Sequence, residues 1–190
     1  MLINQARIEQ YSPGDDSLLQ IREALAITLA LRADTEFSEE ELVPADIPED
    51  FKHTETLIWH TLRGEGKIEL EPLILRSADE KKVVMVIYLG SKLCGHKGII
   101  HGGMLASLLD ETLARTIIPS LPGRIGFTAN FSINYRRPTF ANDFVVIRAE
   151  VDKIDGRKGF VKGQIEDIKG NVLVDSEALF IAPNTARATS

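Results

Sequence analysis

Strict alternation of apolar and polar positions is clearest between residues 125 and 136. There Ile125, Phe127, Ala129, Phe131, Ile133 and Tyr135 interleave with Gly126, Thr128, Asn130, Ser132, Asn134 and Arg136. A period of two predicts a half-buried β-strand, and Pro138 ends it. Two β-rich runs precede it, Ile68 to Leu75 and Val83 to Leu89, separated by the polar turn Ser77-Ala78-Asp79-Glu80, which predicts a hairpin. Three more strands follow, at Phe144–Ile154, Phe160–Ile168 and Val172–Ala182. Asp155-Gly156 marks a two-residue hairpin loop between the first pair, and Lys169-Gly170-Asn171 makes the next turn.

The period changes to that of a helix in two places. Ser17 followed by Gln20 is a capping-box pattern, and Leu18, Ile21, Leu25 and Leu29 then recur at helical spacing as far as Ala33–Asp34. A second helix runs from Met104 to Ile118, where Pro119 stops it. Residues 1–16 read as an irregular lead-in closed by the turn Ser12-Pro13-Gly14-Asp15. Residues 34–52, acidic and broken by Pro44 and Pro48, read as a linker packed loosely on the main body, with a helical turn expected at Ser38–Leu42. The division expected is a helical extension and linker over 1–55, a main domain over 56–183 and a frayed tail over 184–190. Two strands, one long helix and four strands in a meander make an α+β fold, with the helix against one face of a curled antiparallel sheet.

Composition narrows the class. With 190 residues, 44% of them hydrophobic, the chain can bury one sizeable core. A net charge of −6 argues against broad binding to nucleic acid or anionic membranes. The single cysteine, Cys94, rules out an internal disulfide framework and suits a reducing compartment. The run Leu18 to Leu31 is too short and too charged to span a bilayer, and no Arg-rich targeting segment is evident. A cytoplasmic protein is expected, with the mitochondrial matrix as the alternative.

The chemistry gathers where a glycine-rich loop enters the second helix, over Gly98-Ile99-Ile100-His101-Gly102-Gly103-Met104. A helix that starts on paired glycines offers bare N–H groups and a positive dipole end to a ligand oxygen, the raw material of an oxyanion hole. Paired glycines also simply let a loop enter a helix. Cys94, His96 and His101 fit no common zinc spacing, so no metal is expected. No serine triad or nucleophile elbow is present.

His101-Gly102-Gly103, with Asp110 nine positions beyond the histidine, resembles the PaaI-like group of hotdog-fold acyl-CoA thioesterases. The run Phe127-Thr128-Ala129-Asn130-Phe131-Ser132-Ile133-Asn134-Tyr135-Arg136-Arg137-Pro138 and the hairpin Asp155-Gly156-Arg157-Lys158 narrow the likeness to the branch of the carboxyl-terminal modulator protein thioesterases. The resemblance covers about residues 62–182. It implies a hotdog fold, an antiparallel sheet of about six strands curled around one long helix. It further implies two protomers sharing a continuous sheet, with active sites at their interface.

Under that reading Asp110 is the base or nucleophile, flanked by Ala106 and Ala114 on its helix face. Gly103 N–H is the main oxyanion donor, with Gly102 assisting or only permitting the turn. Glu111 and Arg115 read as an ordinary i,i+4 surface pair. Thr128 matches a hydroxyl that orients water or the carboxylate. Alternation alone leaves open which sheet face it occupies, and a bulge would re-aim it. His101 either fixes the glycine loop or shuttles a proton. Asn134, Arg136, Arg157 and Lys158 fall where the branch holds the polar end of coenzyme A; otherwise they are charged edge and turn residues.

Spacing adds one independent point. Gly103 and Asp110, seven residues apart, are separated by about 10 Å along the helix axis, so one carbonyl cannot reach both. A composite site, with donor and carboxylate from different protomers, follows. The expected activity is hydrolysis of an acyl-CoA, of medium- to long-chain fatty acyl type, by a homodimer or dimer of dimers, without a separate cofactor. The alternatives are a non-catalytic acyl-CoA-binding or regulatory protein, or a hotdog hydratase or dehydratase.

Overall fold

The computed structural model describes residues 15–42 and 56–184. The lead-in before Asp15, Pro44 and Pro48, and the tail beyond Asn184 lie outside the described residues. The N-terminal apolar stripe forms two helices rather than one, α1 (Asp15–Ala24) and α2 (Ala26–Ala33). They are broken where Leu25 turns extended, with φ −64° and ψ 132°. The first helix begins at Asp15, so Ser17 sits inside its first turn rather than capping it. The break lets Leu18 from one helix and Leu31 from the other reach the same sheet.

The helical turn expected at Ser38–Leu42 is instead a strand, β1 (Phe37–Glu40). It pairs antiparallel with β2 (Leu73–Ser77) along an otherwise open edge. The ladder overrides the weak local helical preference, as tertiary context commonly does. The segment is therefore a working part of the sheet, and the expectation of a loosely packed linker fails for these residues. The strand predicted from Ile68 is shorter than expected. Ile68 is wholly buried but belongs to a compact turn, in which Gly64 N–H donates to its carbonyl and its own N–H donates to Leu62 O. Gly64 and Gly66 supply the positive φ angles this turn needs.

The remaining strands are β3 (Lys82–Leu89), a small hairpin of β4 (Cys94–His96) with β5 (Ile99–Ile100), β6 (Phe127–Tyr135), β7 (Asp143–Asp155), β8 (Lys158–Asp167) and β9 (Val172–Ile181). The main sheet has seven strands in the order β1-β2-β3-β7-β8-β9-β6, one more than expected because of β1. The four-strand meander is corrected to three. β7, β8 and β9 run consecutively, while β6 lies beyond β9. The chain after β6 passes the glycine loop, where Thr139 O accepts from Ile100 N and Ala141 N donates to Gly98 O. That path delivers β7 beside β3 rather than beside β6.

The long helix α3 (Gly102–Ile117) packs on one face of the sheet and the α1–α2 pair on the other. This explains why Val83–Leu89 reads as a continuous apolar run rather than an alternating one. Val83, Met85, Ile87 and Leu89 join the α3 side, and Val84, Val86 and Tyr88 join the α1–α2 side, so the strand is buried on both faces. Among the described residues, the cluster under α1–α2 includes no side chain of β6.

Candidate active site

The α3 helix presents Leu105, Leu108, Leu109, Leu113 and Ile117 to the sheet, which orients everything else on it. Asp110 is left half-buried on the other side, between Ala106 and Ala114. Its Oδ1 accepts a hydrogen bond from Thr128 Oγ1 at 2.9 Å. The two residues named from sequence are thus brought together, and the reason is a bulge. Thr128 faces Phe180 and Asn130 faces Leu179, which leaves Ala129 unpaired on β6. Phe180 is buried on the α3 side, so the extra residue turns Thr128 to that side as well, along with Phe131 and Ile133.

At the other end of the helix, His101 is the N-cap, and its Nδ1 accepts from Gly103 N–H at 2.9 Å. Gly103 N–H, the donor favoured from sequence, is engaged by the histidine. Gly102 N–H has no partner among the described residues. A Cβ on Gly103 would lie 3.0 Å from the His101 ring, so the close approach itself requires glycine there. Tyr135 Oη donates to Gly102 O at 2.8 Å, a contact that sequence reading missed. Only the placement of Tyr135 at the end of the same alternating strand hinted at it.

The start and the middle of α3 are therefore both held by side chains of β6, Gly102 O by Tyr135 at the strand's end and Asp110 by Thr128 near its start. Strand and helix run antiparallel. Gly102 and Asp110 of one chain lie towards opposite ends of β6.

The four residues proposed for coenzyme A divide in the same way. Lys158 faces Ile181, which faces Phe127, so the Arg157–Lys158 hairpin is at the Thr128 end. Arg157 Nη1 donates to Ala182 O at 2.7 Å. Asn134 and Arg136 are at the Tyr135 end and share Asp175: Asn134 Nδ2 donates to Oδ1 at 2.8 Å, and Arg136 Nε pairs with Oδ2. The Arg136 guanidinium, then the Asn134 amide, hold the Asp175 carboxyl below its ordinary value. Cys94, half-buried on β4, and the exposed His96 stay with the small hairpin. No group of three or more His, Cys, Asp or Glu able to hold a metal occurs among the described residues.

The expected Glu111–Arg115 pair does not form. Glu111 Oε1 accepts from Trp59 Nε1 at 2.8 Å. Arg115 instead reaches Glu40, through Nη1 at 3.0 Å, and Leu42 O, through Nη2 at 2.6 Å. Partners distant in sequence outcompete the i,i+4 neighbour because Glu40, Leu42 and Trp59 lie along this flank of α3.

The Thioesterase superfamily profile matches residues 97–174, which run from the glycine loop into β9. Over those residues the chain is similar to this superfamily. Acyl-coenzyme A thioesterase THEM4 of Bos taurus is 33% identical over 118 residues, covering 62% of this chain and 48% of that protein. The uncharacterized mitochondrial membrane protein FMP10 of Saccharomyces cerevisiae is 32% identical over 127 residues, covering 65% and 52% respectively. A solved thioesterase superfamily protein superposes with a TM-score of 0.53 at 31% identity, covering 58% of this chain and 53% of that one. The matched region has the hotdog architecture, an antiparallel sheet wrapped on α3. The chain spans about half the length of the curated relatives it matches. No helix among the described residues is long and apolar enough to cross a membrane.

Proposed function

We propose that the protein is an acyl-CoA thioesterase whose active sites form between two copies of the chain. The observation that carries the reading is the disposition of β6. It is an edge strand of nine residues with one side unpaired among the described residues, and it holds the Asp110 and Gly102 half-sites at opposite ends. A long exposed edge is a template for a further strand. Ile125 and Phe127 around its start, Tyr135 at its end and Phe140 beyond it are each exposed by 45% or more. Antiparallel pairing of two copies about a two-fold axis sets Asp110 and Thr128 of one against His101, Gly102 and Tyr135 of the other. It also brings Arg157 and Lys158 of one chain towards Asn134 and Arg136 of its partner, a basic cluster suited to the phosphates of coenzyme A.

The chemistry follows from these positions. Gly102 N–H, at the positive end of α3, receives the thioester oxygen as negative charge develops on it. Asp110, with one oxygen held by Thr128, takes the proton of an attacking water or attacks the carbonyl carbon itself. Collapse of the tetrahedral adduct breaks the C–S bond, and the sulfur leaves as the coenzyme A thiolate and takes up a proton. When water attacks, the carboxylic acid is formed directly; when Asp110 attacks, the acyl–Asp110 anhydride left behind is hydrolysed by water to the acid and the free carboxylate, and no separate cofactor enters either scheme. The acyl group proposed is a medium- to long-chain fatty acyl, carried on the apolar surface around β6. The yeast relative FMP10, a mitochondrial membrane protein, favours a mitochondrial setting over the cytoplasmic one.

A thiol-release assay across acyl-CoA chain lengths tests the reading. Wild type is expected to turn over, and Asp110→Asn to lose about 100-fold or more in kcat while still binding substrate. Binding by the wild type with no Asp110-dependent release contradicts it and favours an acyl-CoA-binding module.

A further inference from the structure

We infer that His101 and Tyr135 are positioning residues that clamp the Gly102–Gly103 peptide from both sides, so that Gly102 N–H is the donor left for the substrate oxygen. The role assigned to that donor rests on the thioesterase reading; the clamp itself does not. The peptide between Gly102 and Gly103 has two polar ends, and both are taken. Its carbonyl accepts from Tyr135 Oη at 2.8 Å, and its N–H donates to His101 Nδ1 at 2.9 Å. The rings also pack on it. A Cβ at Gly102 would lie 3.3 Å from the Tyr135 ring, and one at Gly103 would lie 3.0 Å from the imidazole.

Elsewhere at the helix start the donors are spent. Met104 N–H and Leu105 N–H both donate to His101 O. Gly102 N–H alone in the first turn lacks an acceptor among the described residues, at the end of the helix where an anion is most favoured. An imidazole that accepts at Nδ1 carries its proton on Nε2, so this histidine works as a neutral cap. That arrangement removes Nδ1 from proton transfer and gives the ring the task that asparagine or aspartate performs at many helix starts.

The arrangement separates the two roles open to His101. A capping role requires an acceptor at Nδ1 and nothing more, and Asn supplies one; a proton shuttle requires an imidazole. Tyr135 acts on the other side of the same peptide, and a phenyl ring keeps its packing while losing the bond.

The test combines turnover and a readout independent of turnover on four full-length proteins: wild type, His101→Ala, His101→Asn and Tyr135→Phe. Nitrogen-15 NMR of the wild type is expected to show His101 in the Nε2–H form, with a slowly exchanging Gly103 amide. That amide should exchange faster in His101→Ala and regain its protection in His101→Asn. In turnover, His101→Ala should lose more than about tenfold in kcat, and His101→Asn should return to within about threefold of wild type. Tyr135→Phe should lower kcat roughly fivefold with KM within about twofold, the size of one neutral hydrogen bond.

An Nδ1–H tautomer, or a Gly103 amide no more protected in wild type than in His101→Ala, overturns the clamp whether or not the protein hydrolyses thioesters. A His101→Asn protein with a protected Gly103 amide but activity as low as His101→Ala also overturns it, in favour of a proton shuttle. Wild type without any thiol release defeats the thioesterase reading alone, since the NMR arm still decides the clamp.

Discussion

Asp175 shows how one carboxylate ties a proposed binding residue to the fold. It takes Arg136 and Asn134 together, and the Arg136 guanidinium is the larger cause of its lowered pKa. A carboxyl whose pKa is depressed in the folded state adds stability above its unfolded pKa and loses it as pH falls through the folded value. Asp175→Asn is therefore expected to melt slightly lower than wild type at pH 7. The two melting curves should converge once the solution is more acid than the folded Asp175 pKa. A difference that persists unchanged in acid contradicts this assignment. The cluster is exposed, so the effect is small and shrinks in high salt.

The segment before the main domain contributes an element, β1, to the sheet. Its Glu40 is shared by two arginines, Arg76 from β2 through Nε at 2.7 Å and Arg115 from α3 through Nη1 at 3.0 Å. Arg76 also donates to Arg115 O at 3.0 Å. The Arg76, Arg115 and Glu40 side chains are 13%, 11% and 19% exposed, so the group is largely dry. Removing the shared carboxylate leaves two guanidinium groups facing each other without it. Glu40→Ala is expected to cost about 2–3 kcal/mol, below the range for fully buried pairs, and to lower the urea midpoint at an unchanged slope. No shift in the midpoint contradicts the account of β1 as a clamp on α3.

These elements also mark what the sequence made legible. The alternating run of β6, the apolar stripe of α3 and the Asp155-Gly156 hairpin were readable because periodicity and turn chemistry are local. So was the separation of the two half-sites, since helix rise alone sets it. β1 was read as a helical turn because its strand character comes from an edge of β2 supplied 30 or more residues later. The Glu111–Arg115 pair was a sound local inference overruled by Trp59 and Glu40, which only the fold brings near. Thr128 is the intermediate case: a bulge was considered, but the identity of Ala129 as the extra residue depends on the register with β9.

At the scale of the whole molecule, one strand organises the domain. β6 closes the α3 side of the core through Phe131 and Ile133, holds Asp110 by Thr128, holds Gly102 O by Tyr135, and has an outer edge unpaired among the described residues. The α1–α2 pair covers the back of β2, β3 and β7, so the exposed apolar side chains of the sheet are concentrated around β6 and the hairpin tip beside it.

The central claim is that each active site takes its carboxylate from one copy and its oxyanion donor from the other, and a mixing experiment tests it most directly. Gly102→Pro removes the N–H and adds the three carbons of the proline ring. Proline is suited to the first helical position, and His101 before it is already extended at ψ 131°. The Tyr135 ring, 3.3 Å from the added Cβ, has to give by a few tenths of an ångström. Asp110→Asn and Gly102→Pro proteins, each carrying a different tag, are unfolded together, refolded together and assayed for thiol release. Shared sites predict that each mixed dimer regains one intact site, so random pairing restores about a quarter of wild-type activity. Mixed dimers recovered through both tags, yet no more active than the two parents combined, would contradict the account.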